Sequence, residues 1–167
     1  QTLAELRRHL DPAVTITDAA SVKGSVVDAV REIYGCVPPQ FVHGHPIAGS
    51  EKSGVEATNP SLYVDHRVIL TPEAETGADH VALVTALWRG VGAIVSTMPV
   101  EEHDEVLAAT SHLPHLLAFS LVDTLAAMKE NREIFRYAAG GFRDFTRIAG
   151  SDPVMWHDIC LANGKAI

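Results

Sequence analysis

The chain has 167 residues, of which 47% are hydrophobic and 20% charged, and a formal net charge of -8. This is enough apolar sequence for a buried core in one domain or two small ones, and it excludes disorder. The acidic balance argues against nucleic acid or an anionic membrane as main partner, because either favours a basic surface. No uninterrupted apolar run reaches the ~18 residues of a membrane span. Cys36 and Cys160 show neither metal-ligand spacing nor a disulfide framework, so a reducing cytoplasm is the simplest setting.

Leu3, Leu6 and Leu10 recur at helical spacing until Asp11-Pro12 breaks the pattern, and Ala13–Thr17 reads as a buried strand. Ser21–Tyr34 follows as a helix with Val22, Val26, Val30 and Ile33 on or near one face, leading into a strand at Phe41. Gly44, Pro46 and Gly49 then predict an irregular turn that leaves His45 at the strand's C-terminal edge, where ligands bind in open α/β sheets. With an ordinary pKa near ~6.5, His45 could exchange a proton at neutral pH, and the competing reading is a loop hydrogen bond. Arg67–Leu70 reads as a strand, Gly77–Trp88 as a helix and Ala93–Ser96 as another strand. This alternation predicts a parallel sheet with covering helices. No GxGxxG follows a strand, since Gly90-Val91-Gly92 precedes one, so the chain reads as a fragment that lacks the opening βα unit. Gly44–Gly49 has the glycine spacing of a phosphate loop, but Ser50-Glu51 stands where Lys-Ser/Thr is needed.

Pro99 with Glu101 and Glu102 marks a helix start, and from there the chain reads as helical. Over Val100–Lys129, Asp104, Ala108, Ser111, His115, Ala118 and Val122 fall in one arc, so polar groups interrupt an apolar stripe. They are either satisfied internally or face a ligand or a second subunit. Pro114 should kink or divide this helix. His112 and His115 lack a third ligand, so no metal site is expected. Five of the thirteen basic residues, Lys129, Arg132, Arg136, Arg143 and Arg147, meet only Glu130, Glu133 and Asp144 between positions 129 and 147. Arg143 and Arg147 share a helix face and are suited either to gripping a carboxylate through two bonds or to ordinary surface ion pairs. The end at Ala166-Ile167 is expected inside a helix.

TDAASVKG at 17–24, HPIAGSEKSG at 45–54, VILTP at 68–72, SHLPH at 111–115 and GGFRDFTRIAGSDPVMW at 140–156 together resemble the prephenate dehydrogenases, also called arogenate or cyclohexadienyl dehydrogenases. The resemblance covers nearly the whole chain. It implies part of a Rossmann-like dinucleotide-binding domain over residues 1–98 and a truncated helical substrate-binding and dimerisation domain over 99–167. It also implies NAD or NADP as cofactor, a prephenate or arogenate substrate, a homodimer paired through its helical domains, and a place in tyrosine biosynthesis. By the same resemblance His45 is the general base on the substrate 4-hydroxyl. Ser21 orients His45 or that hydroxyl, and Asp18, with Ser21, lies on the nicotinamide side of the cofactor. Arg147 clamps a substrate carboxylate, and His115, Ser50, Glu51 and Trp156 line the pocket. Two alternatives share these features: a β-hydroxyacid dehydrogenase for another carboxylate, and a ligand-sensing domain without turnover.

Overall fold

The computed structural model of the chain describes residues 2–49, 54–129 and 131–167. Helix α1 (Thr2–His9) packs on α2 (Lys23–Tyr34), and between them β1 is only Ile16–Thr17. Strand β2 (Phe41–Val42) pairs with β1 in parallel, Ile16 opposite Phe41 and Thr17 opposite Val42. Past His43 the chain extends again as β3 (Gly44–Pro46), which pairs antiparallel with β4 (Arg67–Leu70); β5 (Ile94–Thr97) then pairs with β4 in parallel. The strands thus form two sheets, β1-β2 and β3-β4-β5, and where they adjoin the His43 carbonyl accepts the Thr71 N–H at 3.0 Å.

The three-stranded sheet is therefore mixed where the sequence predicted parallel strands, and His45 sits within a strand, opposite Ile69, where it predicted an irregular turn. The cause is the connection. Parallel neighbours need a long crossover, usually a helix. Between β3 and β4 the described residues hold only a 3-10 turn, Val55–Ala57, so the chain comes back antiparallel.

Successive strand residues point to opposite faces, and the core divides accordingly. Val42, Val68, Leu70 and Ala93 pack under Val84 and Trp88 of α3 (Ala78–Gly90). On the other face Phe41 and Val37 meet Val27 and Val30 of α2 and Val100. Each such valine or leucine contributes ~1.5–3 kcal/mol by burial.

Val100 opens α4 (Val100–Leu107), which packs along α2. A π-helical turn, Ala108–His112, joins α4 to α5 (Leu113–Ala126), whose first turn contains Pro114. The expected interruption is thus a π turn, and it moves the buried stripe. An extra residue in one turn changes the spacing from three or four to five, so Leu107 is followed inside by His112 and not by Ser111. His103, Leu107, Ala108, His112 and Ala118 are buried, whereas Asp104, Ser111 and His115 are half-buried.

The run Val100–Ala126 is long and apolar enough, by length and composition alone, to cross a bilayer. Beyond it come α6 (Asn131–Arg136), α7 (Gly140–Thr146), a 3-10 turn Arg147–Gly150, and α8 (Pro153–Ala162), capped by the Asp152 carboxylate on the Val154 and Met155 N–H groups. The α7 helix, the 3-10 turn and α8 all pack on α5. Helix α8 stops at Ala162, so Ala166 lies in a turn and Ile167 just past it, not inside a helix as expected.

Candidate active site

Where β1 and β2 end side by side, the chain places two clusters of buried polar side chains. In the first, the Lys23 side chain is wholly buried and its ammonium donates to the Asp18 carboxylate and to the Gly44 carbonyl. The second Asp18 oxygen lies 3.1 Å from His43 Nδ1, and the first also accepts the Ala20 N–H at 2.9 Å. Burial alone would raise the Asp18 pKa, but the hydrogen bond from His43 and the charge and hydrogen bond of Lys23 outweigh it and hold the carboxylate below its usual range.

The second cluster contains His45. Its Nδ1 is 2.9 Å from His103 Nε2, and His103 Nδ1 is 2.8 Å from Asp104 Oδ1. Asp104 also accepts the Lys23 N–H at 2.9 Å and the Gly24 N–H at 2.8 Å. A residue of α4 thereby caps the start of α2, where Val22 offers no side-chain cap of its own. Asn163 closes the far end, donating to the Asp104 carbonyl at 2.8 Å and to His112 Nδ1 at 3.0 Å.

Burial, followed by the nearby charges of His103, Lys23 and His112, pushes the His45 pKa down to about 3. The near-neutral titration expected from the sequence is thus corrected. His45 is a neutral imidazole at physiological pH, able to accept a proton as a reaction develops but not ionised beforehand. Burial likewise lowers the pKa of His112.

The predicted residues divide into groups. His115 stacks on Trp156 with ring centroids 3.5 Å apart, and the Trp156 ring also lies 6.1 Å from His112. His115 Nδ1 is 2.9 Å from the Ser111 carbonyl. Among the described residues the buried Trp156 Nε1 has no hydrogen-bond partner. Contacts therefore run from His45 through His103, Asp104, Asn163 and His112 to Trp156 and His115.

Ser21 is half-buried just ahead of α2, but among the described residues the partner of His45 is His103 and not Ser21. Asp18 is at the expected strand end, with its carboxylate turned inward onto Lys23 and His43. Arg147 is exposed at the start of the turn that packs on α5. Ser50 and Glu51 lie outside the described residues. Sequence reasoning missed His103, Asn163 and the role of Lys23. His103 was detectable only as the histidine preceding Asp104, because the straight-helix arc placed it off the polar face.

The edge formed by these strand ends offers a flat nicotinamide ring an unobstructed approach. Thr17 and Ala19 are small and exposed there, and the charges of Asp18 and Lys23 are spent on one another. No glycine-rich pyrophosphate turn occurs in the chain.

Residues 1–97 match the family described as prephenate dehydrogenase, nucleotide-binding domain, and residues 99–167 match prephenate dehydrogenase, dimerization domain. The chain is similar to the cyclohexadienyl dehydrogenase of Zymomonas mobilis, 42% identical over 167 residues, covering 98% of this chain and 56% of that protein. It is similar to the prephenate dehydrogenase of Bacillus subtilis, 43% identical over 161 residues, covering 95% of this chain and 43% of that protein. Among solved structures it resembles prephenate dehydrogenase from Aquifex aeolicus in complex with hydroxyphenyl propionate and NAD+, with a TM-score of 0.89 and 47% identity over 98% of this chain and 57% of that one. The chain spans about half the length of these relatives.

Proposed function

The chain belongs to the prephenate dehydrogenase family, and on that premise we propose that the intact protein is a cytoplasmic enzyme of tyrosine biosynthesis. It oxidises prephenate or arogenate at C4 while the ring carboxylate leaves as carbon dioxide. The observation that carries this reading is His45: a buried, neutral imidazole at the edge where the parallel strands end, held by a hydrogen bond at Nδ1. The bound dinucleotide, NAD or NADP, supplies the nicotinamide that takes the hydride.

Its own residues do the rest. His45 takes the 4-hydroxyl proton as C4 becomes a carbonyl-like centre, and loss of the carboxylate then leaves the ring aromatic. Ser21, without a side-chain hydrogen bond among the described residues, is available to the same hydroxyl. Asp18 acts through Lys23 and His43, fixing the loop against which the nicotinamide lies. Arg147 grips a substrate carboxylate, and the stacked His115 and Trp156 form an apolar wall for the ring. Exposed Leu113, Leu116 and Leu117 on α5, with Val154, Met155 and Leu161 on α8, support a second copy of the chain as partner.

The test is the appearance of reduced nicotinamide when the intact protein meets prephenate or arogenate with NAD+ or NADP+. Turnover with release of carbon dioxide is expected for at least one pairing. Oxidation of simple 3-hydroxy acids, with neither cyclohexadienyl substrate consumed, would instead establish the β-hydroxyacid alternative.

A further inference from the structure

We propose that His103 and Asp104 are positioning residues for His45: Asp104 keeps the proton of His103 on Nδ1, and His103 keeps the proton of His45 on Nδ1, so that the unshared pair of His45 Nε2 faces the substrate. The role served is the proton transfer of the dehydrogenase reading, on which it rests; the tautomers themselves are testable without turnover.

The hydrogen-bond inventory allows little else. Two backbone amides, those of Lys23 and Gly24, donate to the Asp104 carboxylate, and amides cannot accept. The carboxylate is therefore an acceptor, and its 2.8 Å contact requires a proton on His103 Nδ1. Between His45 Nδ1 and His103 Nε2, 2.9 Å apart, there is room for one proton. Placing it on His103 would make that wholly buried ring a cation in the same buried network as the Lys23 ammonium. It would also leave His45 with its proton on Nε2 and nothing to accept with. Placing it on His45 leaves both rings neutral and Nε2 bare. The charged and titratable groups that act on His45 are His103 on α4, Lys23 on α2, His112 in the π turn and Asp18 after β1, and of these only Asp18 favours positive charge on it.

The scaffold holds this order in place. Asp104 is tied to the start of α2, and its carbonyl is tied to Asn163 beyond α8. Gly24 permits the close approach, since a Cβ there would lie 2.9 Å from Asp104 Oδ2. When substrate O–H breaks and His45 Nε2–H forms, the new positive charge is shared through Nδ1–H to His103 and through His103 Nδ1–H to the carboxylate. The relay offsets, as charge develops, the burial that disfavours it in the resting protein.

The experiment is long-range proton–nitrogen correlation on the intact protein labelled with nitrogen-15 histidine near neutral pH, with His45→Asn assigning the His45 ring. Protonated Nδ1 and bare Nε2 are expected at His45 and His103. A His45 ring carrying its proton on Nε2 overturns the proposal whatever the activity. Asp104→Asn removes the negative charge with which the relay offsets the developing imidazolium, so kcat should fall ~10²–10⁴-fold with KM changed less than ~3-fold. Wild-type kcat in that variant also overturns it. Should Asp104→Asn fail to fold, a second pair decides: His103→Gln offers an acceptor near the Nε2 position and should exceed His103→Leu in kcat by ~10-fold or more, and equal loss in both contradicts the relay. Expected tautomers in a protein that turns over no cyclohexadienyl substrate would count against the dehydrogenase reading alone.

Discussion

Lys23 and Arg31 sit about two turns apart on α2, and each meets a carboxylate, yet the pairs differ in what they stabilise. The Lys23 side chain is 0% exposed against Asp18, whereas Arg31 is 48% exposed against Glu73. Removing one partner of a buried pair strands a charge and costs ~3–5 kcal/mol, while an exposed pair is worth ~0–1 kcal/mol. Urea unfolding should therefore show Lys23→Ala strongly destabilised and Arg31→Ala nearly unchanged. Equal small losses would mean that the Lys23 ammonium is not held as described. Arg147 calls for a different measurement. It is exposed, so on the proposed reading its bonds to a substrate carboxylate would be charge-assisted but partly solvated, in the range of ~1.5–3 kcal/mol. Arg147→Ala should raise KM by ~10–150-fold with a smaller effect on kcat, and Arg147→Lys should recover little because lysine lacks the planar two-bond fork. An unchanged KM in both variants would return Arg147 to the surface ion pairs.

Helix α4 meets the start of α2 through the Asp104 carboxylate. A methyl group at position 24 would press on Asp104 Oδ2 at 2.9 Å, so Gly24→Ala should lower kcat more than it lowers melting temperature. Unaltered kinetics would show that the contact yields without consequence. The glycine in SVKG could be read from sequence as part of a motif, but its reason could not, because its neighbour is 80 residues away on another helix. The helices and strands themselves were legible, since periodicity and the Pro and Gly breaks report local structure. His45 stood out for its glycine and proline neighbours. What periodicity missed follows from non-local causes. The π turn shifted the buried stripe onto His112, and the short return between β3 and β4 made that pairing antiparallel. Lys23 stood in the sequence only as a letter of the TDAASVKG motif, because its partner lies across the strand ends, at Asp18.

For the whole molecule, the buried histidines set a pH dependence that requires no substrate. His45 has a folded pKa near about 3, against ~6.5 in an unfolded chain. Between these values the unfolded state binds the extra proton, so stability is fully present above ~6.5 and falls as pH drops toward ~3, by up to ~1.4 kcal/mol per pH unit. His112 is shifted in the same direction and adds to the loss. Asp18 and Asp104, both lowered, extend it once pH falls below the ~3.9 of an unfolded aspartate. Melting temperatures across this window should fall with acid, and less steeply in His45→Asn; parallel curves would deny that His45 is buried and neutral.

The same low pKa means that kcat/KM of the intact protein should show no acidic limb from His45 between pH ~5 and ~8. The central claim is that His45 removes the hydroxyl proton as hydride leaves. The most direct measurement is steady-state turnover of His45→Asn, which keeps a polar side chain of similar reach but cannot accept that proton. A fall in kcat of ~10²–10⁴-fold with KM little changed is the result predicted. A variant that keeps most of its turnover would contradict it.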